Sequence, residues 1–391
     1  MTIVHWLGAG LSTPPGIKRL VQQGYNLWLW NRSIDKAQAI LDGLDGQCQA
    51  RCLDWDELEQ HIGSGDLVVS MLPGNFHVQV AELAIAKGAH FVSSSYLSPP
   101  MQALHEGAKA ANLCVVNEVG LDPGIDHLMA HSLVASYRSS PAYAVANKIE
   151  FKSYCGGLPA QMNDFTYKFS WSPLGVLKAL KSPAQWREFG ATQNSAKPWQ
   201  AVRSYSARLS DGSTEDFVAY PNRDSLPFIQ QYNFDPEWSV QTFVRGSLRG
   251  NDWVQAWQDI FALVDTLEGA PEEEVEHKLS RLSDELWQNY AYAEDEADRV
   301  VLSVELAALD ADSGQKIWHQ SYNLDAYGKQ QGSAMARLVS ITVSLAVEAV
   351  LAGNIDAGVS TGPQDVGLVE AWLSFLRQQG EPIVLTDYLA G

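Results

Sequence analysis

Residues 1–120 alternate short apolar runs with segments in which apolar positions recur at helical spacing. Val78–Lys87 and Met101–Ala111 are two of these predicted helical segments. Strands that alternate with helices predict the α/β class, with a doubly wound parallel sheet and helices on both of its faces. The predicted strands are Ile3–Leu7, Asn26–Trp30, Ala50–Leu53, Leu67–Leu72, His90–Ser93 and Cys114–Val116.

The pattern changes after this region. Residues 123–265 place strand-like pieces among long loops that contain glycine, proline and tryptophan, which predicts a second domain of the α+β class. Residues 266–299 are acidic and predict a small helical insertion. Residues 300–329 read as a hairpin around Asp312-Ser313-Gly314 that completes the second domain.

The C-terminal part of the chain is helical again. The stretch from Ser333 to Ala352 is apolar but carries Arg337 and Glu348, so we expect a core helix and not a membrane span. We therefore predict that residues 1–122 form the first domain together with the returning helices 330–391.

Composition and charge limit the partners. The 391 residues hold 27 Lys and Arg against 46 Asp and Glu, a formal net charge of −19. We expect no nucleic-acid and no membrane partner, because such an acidic surface repels both polyanions. Four scattered cysteines imply no disulfide framework, and neither a signal segment nor a membrane span is predicted, so we expect a cytoplasmic protein. An anionic small-molecule substrate would need local cations.

A glycine-rich turn follows the first predicted strand. Gly8-Ala9-Gly10 comes directly after it, and Leu11 and Ser12 lead to a helix that Pro14 opens. Such a turn lets the backbone approach a pyrophosphate at the positive end of a helix. Thr13 stands where the full fingerprint has a third glycine, so the motif depends on its place between strand and helix. We predict a Rossmann-like dinucleotide site here, in preference to a structural turn.

The end of the second predicted strand selects the nucleotide. NAD sites usually carry an acidic residue there, whereas this chain has Asn31-Arg32-Ser33 and no carboxylate before Asp35. Arg32 can pair with a 2′-phosphate, and Asn31 or Ser33 can donate to it. The alternative is a solvated arginine. We predict that the cofactor is NADP.

Longer segments carry a more specific signature. They are 94–99 (SSYLSP), 117–127 (NEVGLDPGIDH), 153–160 (SYCGGLPA), 167–172 (YKFSWS), 219–225 (AYPNRDS) and 244–249 (VRGSLR). In this order they resemble the saccharopine reductases, the glutamate-forming saccharopine dehydrogenases, over most of the chain. The loop 159–167 and the helical region after residue 265 look shorter than in the family, and the first difference bears on the substrate pocket.

The resemblance implies an oxidoreductase that acts on a CH–NH bond. It would interconvert saccharopine, NADP and water with glutamate, 2-aminoadipate 6-semialdehyde and NADPH. The implied cofactor contacts are Gly8, Gly10, Leu11, Ser12, Asn31, Arg32, Ser33, Asp54, Leu72, Pro73, Ser95, Val119, Gly120, Leu121, Trp171 and Ser172.

The implied substrate carries three carboxylates, so its pocket needs several cations. By resemblance, the substrate-binding residues are Arg223, Arg245, Gly246 and Ser247, together with Tyr96 and Asp122. Arg249, on the same segment, can add charge. Guanidinium groups match carboxylates in bidentate geometry. The alternative reading is a pair of structural surface ion pairs.

Three titratable residues within the matched segments are candidates for proton transfer at the substrate nitrogen. We rank Asp122 first, because a carboxylate can accept a proton from an amine and stabilise an iminium. Asp122 could instead cap a helix that starts at Pro123. Tyr96 is either a proton relay or a packed ring, and Cys155 is either reactive or a small packing residue. Substrate carboxylates and water could also carry much of the proton transfer.

Two further readings concern metals. His127 and His131 share a helical face beside Asp126, but no third ligand follows at a recognisable spacing, so we predict packing at a helix start and no metal. Cys48 and Cys52 lack a second pair of ligands.

Two other functions remain as alternatives. One is a related dehydrogenase of lysine or carboxynorspermidine type, which would lack the paired arginine segments. The other is a non-catalytic NADP-binding regulatory protein. If the protein forms an oligomer, we expect a homodimer.

Overall fold

The computed structural model describes residues 2–390, and Met1 and Gly391, the outer ends of the predicted domains, lie outside the described residues. The strands are β1 Ile3–Leu7, β2 Asn26–Asn31, β3 Cys48–Cys52, β4 Leu67–Ser70, β5 His90–Ser93, β6 Cys114–Val116, β7 Lys148–Pro159, β8 Ala184–Glu188, β9 Ala191–Ser195, β10 Arg203–Arg208, β11 Thr214–Pro221, β12 Ser239–Arg249, β13 Asp298–Leu309, β14 Lys316–Tyr327, β15 Gly358–Ser360 and β16 Ile383–Asp387.

The α-helices follow in the same order. They are α1 Pro14–Gln22, α2 Ile34–Leu41, α3 Trp55–His61, α4 His77–Ala86, α5 Pro99–Gln102, α6 His105–Ala110, α7 Ile125–Ser139, α8 Pro173–Ala179, α9 Pro227–Gln231, α10 Trp253–Ala256, α11 Gln258–Thr266, α12 Glu272–Tyr290, α13 Ala334–Leu351 and α14 Val366–Gln378. Short 3-10 helices span Gly74–Phe76 and Pro198–Ala201.

The chain folds into two compact units, each with its own sheet. The first unit contains the chain up to His127 and then residues 330–368. The second unit contains residues 128–329 and the chain from Val369 onward.

The first unit is built on a parallel seven-stranded sheet with the order β15-β6-β5-β4-β1-β2-β3. Every residue of β4 is buried, as expected for a parallel strand that is covered on both faces. β1 lies between β2 and β4, so the strand order switches there. Ligands of doubly wound sheets bind outside the carboxyl ends of the strands at such a switch point. The predicted fold class is confirmed.

Helix α13 is part of the core of this unit. It is long and apolar enough to cross a membrane, but 78% of it is buried inside the protein. It packs against α1 so closely that a Cβ atom on Gly16 would lie 2.1 Å from the carbonyl oxygen of Ser340. The Gly16 N–H donates to Ser340 Oγ (2.8 Å), and Arg19 pairs with Glu348 at 2.7 Å. The predicted core helix is therefore present.

The second unit is built on a mixed nine-stranded sheet. Seven strands follow the order β10-β11-β12-β7-β13-β14-β16, and the β8-β9 hairpin joins at β12. β12 runs parallel to β7, whereas the other pairs are antiparallel. An aromatic core packs α8 and α10 to α12 against Tyr167, which precedes α8, and Tyr220 on β11, and it includes Trp253 of α10. The predicted second α+β domain is therefore present.

Three features differ from the predictions. Residues 369–391 do not return to the first domain, because β16 extends the second sheet by pairing with β14. Residues 266–299 do not form a separate region, because Leu279 and Leu286 of α12 belong to the aromatic core of the second unit. The single helix predicted for Met101–Ala111 is two short helices, α5 and α6.

Candidate active site

The glycine turn lies at the switch point of the first sheet. Gly8 has φ +105°, and a Cβ atom there would lie 2.8 Å from the carbonyl oxygen of Met71, so only glycine suits the position. A Cβ atom on Gly10 would meet no atom within 4 Å. Thr13, which replaces the third glycine, is buried, and its hydroxyl donates to the carbonyl oxygen of Gly10 (2.8 Å). The threonine thus stabilises the turn that leads into α1.

The turn presents backbone donors that fit a pyrophosphate. Among the described residues, the N–H groups of Gly10, Leu11 and Ser12 have no hydrogen-bond partner. Gly10 and Leu11 are exposed, with 52% of Leu11 accessible. Successive free N–H groups at the start of a helix attract anions. The residues present therefore fit the phosphate part of a dinucleotide.

Asn31 holds this turn in place. Its Oδ1 accepts from the N–H of Ala9 (3.1 Å), and its Nδ2 donates to the carbonyl oxygen of Ser33 (2.9 Å). Both ends of the amide are therefore engaged within the protein. The sequence predicts that Asn31 could donate to a phosphate, whereas in the structure its amide joins β2 to the glycine turn.

Arg32 follows directly on this strand and is exposed. It forms no ion pair with any residue between positions 2 and 390. A cation without a counter-charge in an acidic chain, at the end of β2, fits a 2′-phosphate. Asp54 caps α3 by accepting from the N–H of Glu57 (3.0 Å), which accounts for one of its oxygens.

Replacing Arg32 by glutamine is expected to weaken NADP binding about tenfold and to leave NAD binding unchanged. The loss corresponds to one charge-assisted hydrogen bond at an exposed position. Fluorescence titration with both nucleotides measures this, and Lys36→Gln on the neighbouring helix is the matched control. Equal affinity of the wild-type protein for NADP and NAD would contradict the assignment of Arg32.

A buried histidine links the strand ends beside the turn. His77 lies between Ser70 Oγ (2.8 Å from Nδ1) and Ser95 Oγ (2.7 Å from Nε2). Burial lowers the pKa of His77 to about 4, so the ring is neutral at physiological pH. Ser95, a predicted cofactor contact, is thereby fixed in position. Leu72 and Pro73, two more predicted contacts, follow β4 with Leu72 half-buried and Pro73 exposed.

The two leading catalytic candidates lie together. The hydroxyl of Tyr96 donates to Asp122 Oδ1 at 3.1 Å, and both side chains are partly accessible. At the start of α7, the Ile125 and Asp126 N–H groups already donate to the carbonyl oxygens of Gly120 and Leu121. These N–H groups do not depend on a cap from Asp122, and its catalytic role stays a prediction.

A buried ionic network holds the segments that carry this pair. Glu118 has φ +60° and is 3% exposed. Its Oε1 accepts from the N–H of Leu97 (2.8 Å), and its Oε2 lies 2.9 Å from His127 Nε2. Asp126 lies 3.4 Å from His127 Nδ1 and accepts from the N–H of Gly124 (2.7 Å). The network therefore ties the loop of Tyr96 to the loop of Asp122.

The network was not predicted. We expected His127 to pack at a helix start, but both of its ring nitrogens face carboxylates. The available signal in the sequence was Glu118, a carboxylate in the matched segment 117–127 that comes nine residues before His127. Val119, Gly120 and Leu121, predicted cofactor contacts, form the buried loop between the two.

His127 gives the protein a pH-dependent stability. Burial lowers its pKa, but Asp126 and Glu118 outweigh burial and raise the pKa to about 9. The ordinary pKa of histidine is about 6.5, so the stability that the charged His127 adds is complete below pH 6.5 and is lost as the pH rises through 9. We expect the melting temperature of the wild-type protein to fall between pH 6.5 and 9.5 more steeply than that of His127→Gln. If the melting temperatures of the two proteins fell by the same amount over this pH range, the charged state of His127 in the network would be contradicted.

The predicted substrate arginines lie in the second unit. Arg245 is on β12, is 4% exposed, and has its guanidinium carbon 4.0 Å from the centre of the Phe228 ring. Its backbone N–H donates to Ser225 Oγ (3.0 Å). Arg223 lies in the loop after β11, is exposed and has φ +57°. The carbonyl oxygen of Arg223 accepts from the backbone N–H of Gln185 (2.9 Å), which fixes the loop.

The remaining predicted substrate residues follow on the same strand. A Cβ atom on Gly246 would lie 2.4 Å from the carbonyl oxygen of Tyr220, so the glycine allows close strand packing. Ser247 is half-buried and lies in register with Tyr220 on β11 and with Cys155 on β7. Cys155 is 9% exposed. The structure thus places Ser247 and Cys155 side by side.

Two predicted cofactor contacts also lie in the second unit. Ser172 caps α8 by accepting from the N–H of Gly175 (3.2 Å). Trp171 is 38% exposed, and its ring lies over Gly175, where a Cβ atom would come within 2.5 Å. In the part of the chain that is described, no group of three or more His, Cys, Asp or Glu side chains could hold a metal ion.

Comparisons with known proteins agree with this geometry. Residues 4–116 match the saccharopine dehydrogenase NADP binding domain, and residues 120–380 match the saccharopine dehydrogenase C-terminal domain. The chain is 38% identical over 253 residues to saccharopine dehydrogenase (NADP(+), L-glutamate-forming) of Pyricularia oryzae, covering 63% of this chain and 54% of that protein.

Two other comparisons extend over the whole chain. The enzyme of the same name from Schizosaccharomyces pombe is 28% identical over 461 aligned positions, which cover 97% of this chain and 98% of the relative. Because this chain has only 391 residues, the relative holds segments that it lacks. The structure of apo saccharopine dehydrogenase (L-Glu forming) from Saccharomyces cerevisiae has a TM-score of 0.78 and 27% identity, and covers 99% of this chain and 100% of that one.

The glycine turn and the match over residues 4–116 define an NADP-binding unit, and the named relatives are oxidoreductases. The predicted cofactor and enzyme class are thereby confirmed. The chain belongs to the saccharopine dehydrogenase family.

Proposed function

We propose that this protein interconverts saccharopine, NADP and water with glutamate, 2-aminoadipate 6-semialdehyde and NADPH. The observation that supports it most is the hydrogen bond between Tyr96 and Asp122, beside the loop of a NADP-binding unit. The named relatives, which span the whole chain, support the same reaction.

The first unit positions the cofactor. The free N–H groups of the turn at Gly10 would hold the pyrophosphate, and Arg32 would hold the 2′-phosphate. When bound, NADP supplies the hydride acceptor of the reaction. Ser95, which His77 fixes in position, follows β5, and the loop that contains Val119 follows β6. Both would complete the cofactor site at the carboxyl ends of the strands.

The pair of Tyr96 and Asp122 handles protons at nitrogen. Oxidation of the CH–NH bond gives an imine; water adds to its carbon, and cleavage of the C–N bond then releases the aldehyde and the amine of glutamate. The nitrogen must lose a proton before oxidation and gain protons before it leaves. The Asp122 carboxylate accepts and returns a proton, and the Tyr96 hydroxyl holds its Oδ1 in place.

The arginines of the second unit bind the substrate. Arg245 and Arg223 each hold a carboxylate, and Ser247 donates a further hydrogen bond. The alternative dehydrogenases act on substrates with fewer carboxylates and would not need this many cations. Four scattered cysteines fit a reducing compartment, so we place the enzyme in the cytoplasm. We consider a homodimer as the assembly, and light scattering measures the mass in solution.

A steady-state assay with NADP and separate substrates tests the proposal. NADPH should form with saccharopine at a kcat/KM at least a hundredfold above that with lysine or carboxynorspermidine. Preference for either of these amines would assign the chain to the related dehydrogenases. NADP binding with no turnover of any of them would leave the regulatory function as the better account.

A further inference from the structure

We propose that Arg249 is a further substrate-binding residue, which holds a carboxylate of the substrate through the Nε–Nη2 edge of its guanidinium. The inference rests on the proposed function, because saccharopine supplies the carboxylates. Arg249 ends β12, two residues after Ser247 and four after Arg245.

Arg249 is a buried cation without a counter-charge. Only 9% of the residue is exposed, and no carboxylate of the described residues forms an ion pair with it. This contrasts with Arg299, which is equally buried but pairs with both Glu215 and Asp325. Burying an unpaired charge is costly, so such a group usually has a partner. In a chain with a net charge of −19, the missing anion is not explained by a shortage of carboxylates.

One edge of the guanidinium is available for a ligand. Nη1 donates to the carbonyl oxygen of Leu248 (2.7 Å), whereas Nε is buried and has no hydrogen-bond partner. Nη2 also makes no hydrogen bond to any of the residues 2–390. The N–H groups on Nε and Nη2 point side by side, and this edge binds the two oxygens of a carboxylate in parallel.

An aromatic cage sets the orientation of this edge. The guanidinium carbon lies 5.1 Å from the ring centre of Tyr167, 5.5 Å from that of Tyr220 and 5.9 Å from that of Trp253. Rings stabilise a cation through their faces and supply no hydrogen-bond acceptor to the N–H edge. The cage thus holds the guanidinium in place and leaves the edge for an anion.

The position on the sheet relates Arg249 to the predicted substrate residues. Side chains alternate along a strand, so Arg245, Ser247 and Arg249 share one face of β12. Ser247 lies in register with Cys155 and with Tyr220, one of the cage rings. Arg249 would be the third arginine, with Arg223 and Arg245, for the three carboxylates of saccharopine.

The test measures which carboxylate each arginine recognises. Three analogues of saccharopine are prepared, each with one carboxylate replaced by a carboxamide, and their affinities for the NADP-loaded protein are measured by calorimetry. The wild-type protein should bind each analogue ten- to hundredfold more weakly than saccharopine. Arg249→Met should bind saccharopine that much more weakly and lose discrimination against one analogue only. Arg223→Ala should lose discrimination against a different analogue.

Two controls separate binding from folding. If Arg249→Met is poorly folded, Arg249→Lys is used in its place. It keeps the charge without the planar edge, so its affinity for saccharopine should lie below that of the wild-type protein. Arg203→Met removes an arginine that pairs with Glu188 elsewhere in the sheet and should leave all affinities unchanged. If Arg249→Met melts at a lower temperature but discriminates against all three analogues as the wild type does, Arg249 is structural and the inference fails. If the wild-type protein does not bind saccharopine, the proposed function fails as well.

Discussion

Asp122→Asn is expected to reduce kcat for saccharopine by about 10² or more, with NADP affinity unchanged. The substitution keeps the size of the side chain and an oxygen for the Tyr96 hydroxyl, which lies 3.1 Å from Oδ1. It removes the charge that accepts a proton from the substrate nitrogen. Rapid-mixing measurement of NADPH formation in a single turnover separates this step from product release.

Two further variants test the hydrogen-bonded pair of Tyr96 and Asp122. Tyr96→Phe removes the hydroxyl but leaves the carboxylate, so its effect should be smaller than that of Asp122→Asn and additive only in part. Asp122→Ala should retain a normal melting temperature, because the backbone carbonyls of Gly120 and Leu121 already serve the start of α7. If the pH–rate profile of Asp122→Asn overlays that of the wild type, Asp122 is not catalytic and substrate-assisted proton transfer is the better account.

Arg223→Ala is expected to raise the KM for saccharopine ten- to hundredfold and to leave the Kd of NADP unchanged. Arg223 is proposed to hold a substrate carboxylate, and a charge-assisted hydrogen bond accounts for an effect of this size. The side chain is exposed, so little stability is lost with it. Steady-state kinetics with varied saccharopine measures the effect.

The control for Arg223 uses the same sheet. Arg208→Ala removes an arginine from β10 that carries none of the proposed substrate contacts, and its KM should equal that of the wild type. A folded Arg223→Ala protein with unchanged saccharopine kinetics would remove Arg223 from the proposed site. The remaining substrate contacts would then be those on β12.

The sequence was most informative where a pattern repeats along the chain. Alternating apolar runs predicted the parallel sheet, because strands that are buried on both faces are continuously apolar. The short strand Gly358–Ser360 was missed, since three residues between a helix and a loop carry no periodicity. The C-terminal strand Ile383–Asp387 was assigned to the wrong unit, because pairing with β14 is a long-range contact that no local pattern specifies.

The sequence supplied candidate residues for the site but not their contacts. The glycine motif pointed to the turn and the family resemblance pointed to the arginines, whereas neither could show that Asn31 holds the turn or that Glu118 pairs with His127. Such hydrogen bonds depend on distances between segments far apart along the chain. The burial of Arg249 without a carboxylate is likewise visible only in the structure.

The position of the bond that is oxidised tests the central claim most directly. Saccharopine has a secondary amine between two carbons, and oxidation on the aminoadipyl side releases glutamate, whereas oxidation on the glutaryl side releases lysine. Incubation of the protein with saccharopine and NADP, followed by mass spectrometry of the amino acids, distinguishes the two. We predict one glutamate for each NADPH formed. Lysine and 2-oxoglutarate as the products would contradict the account.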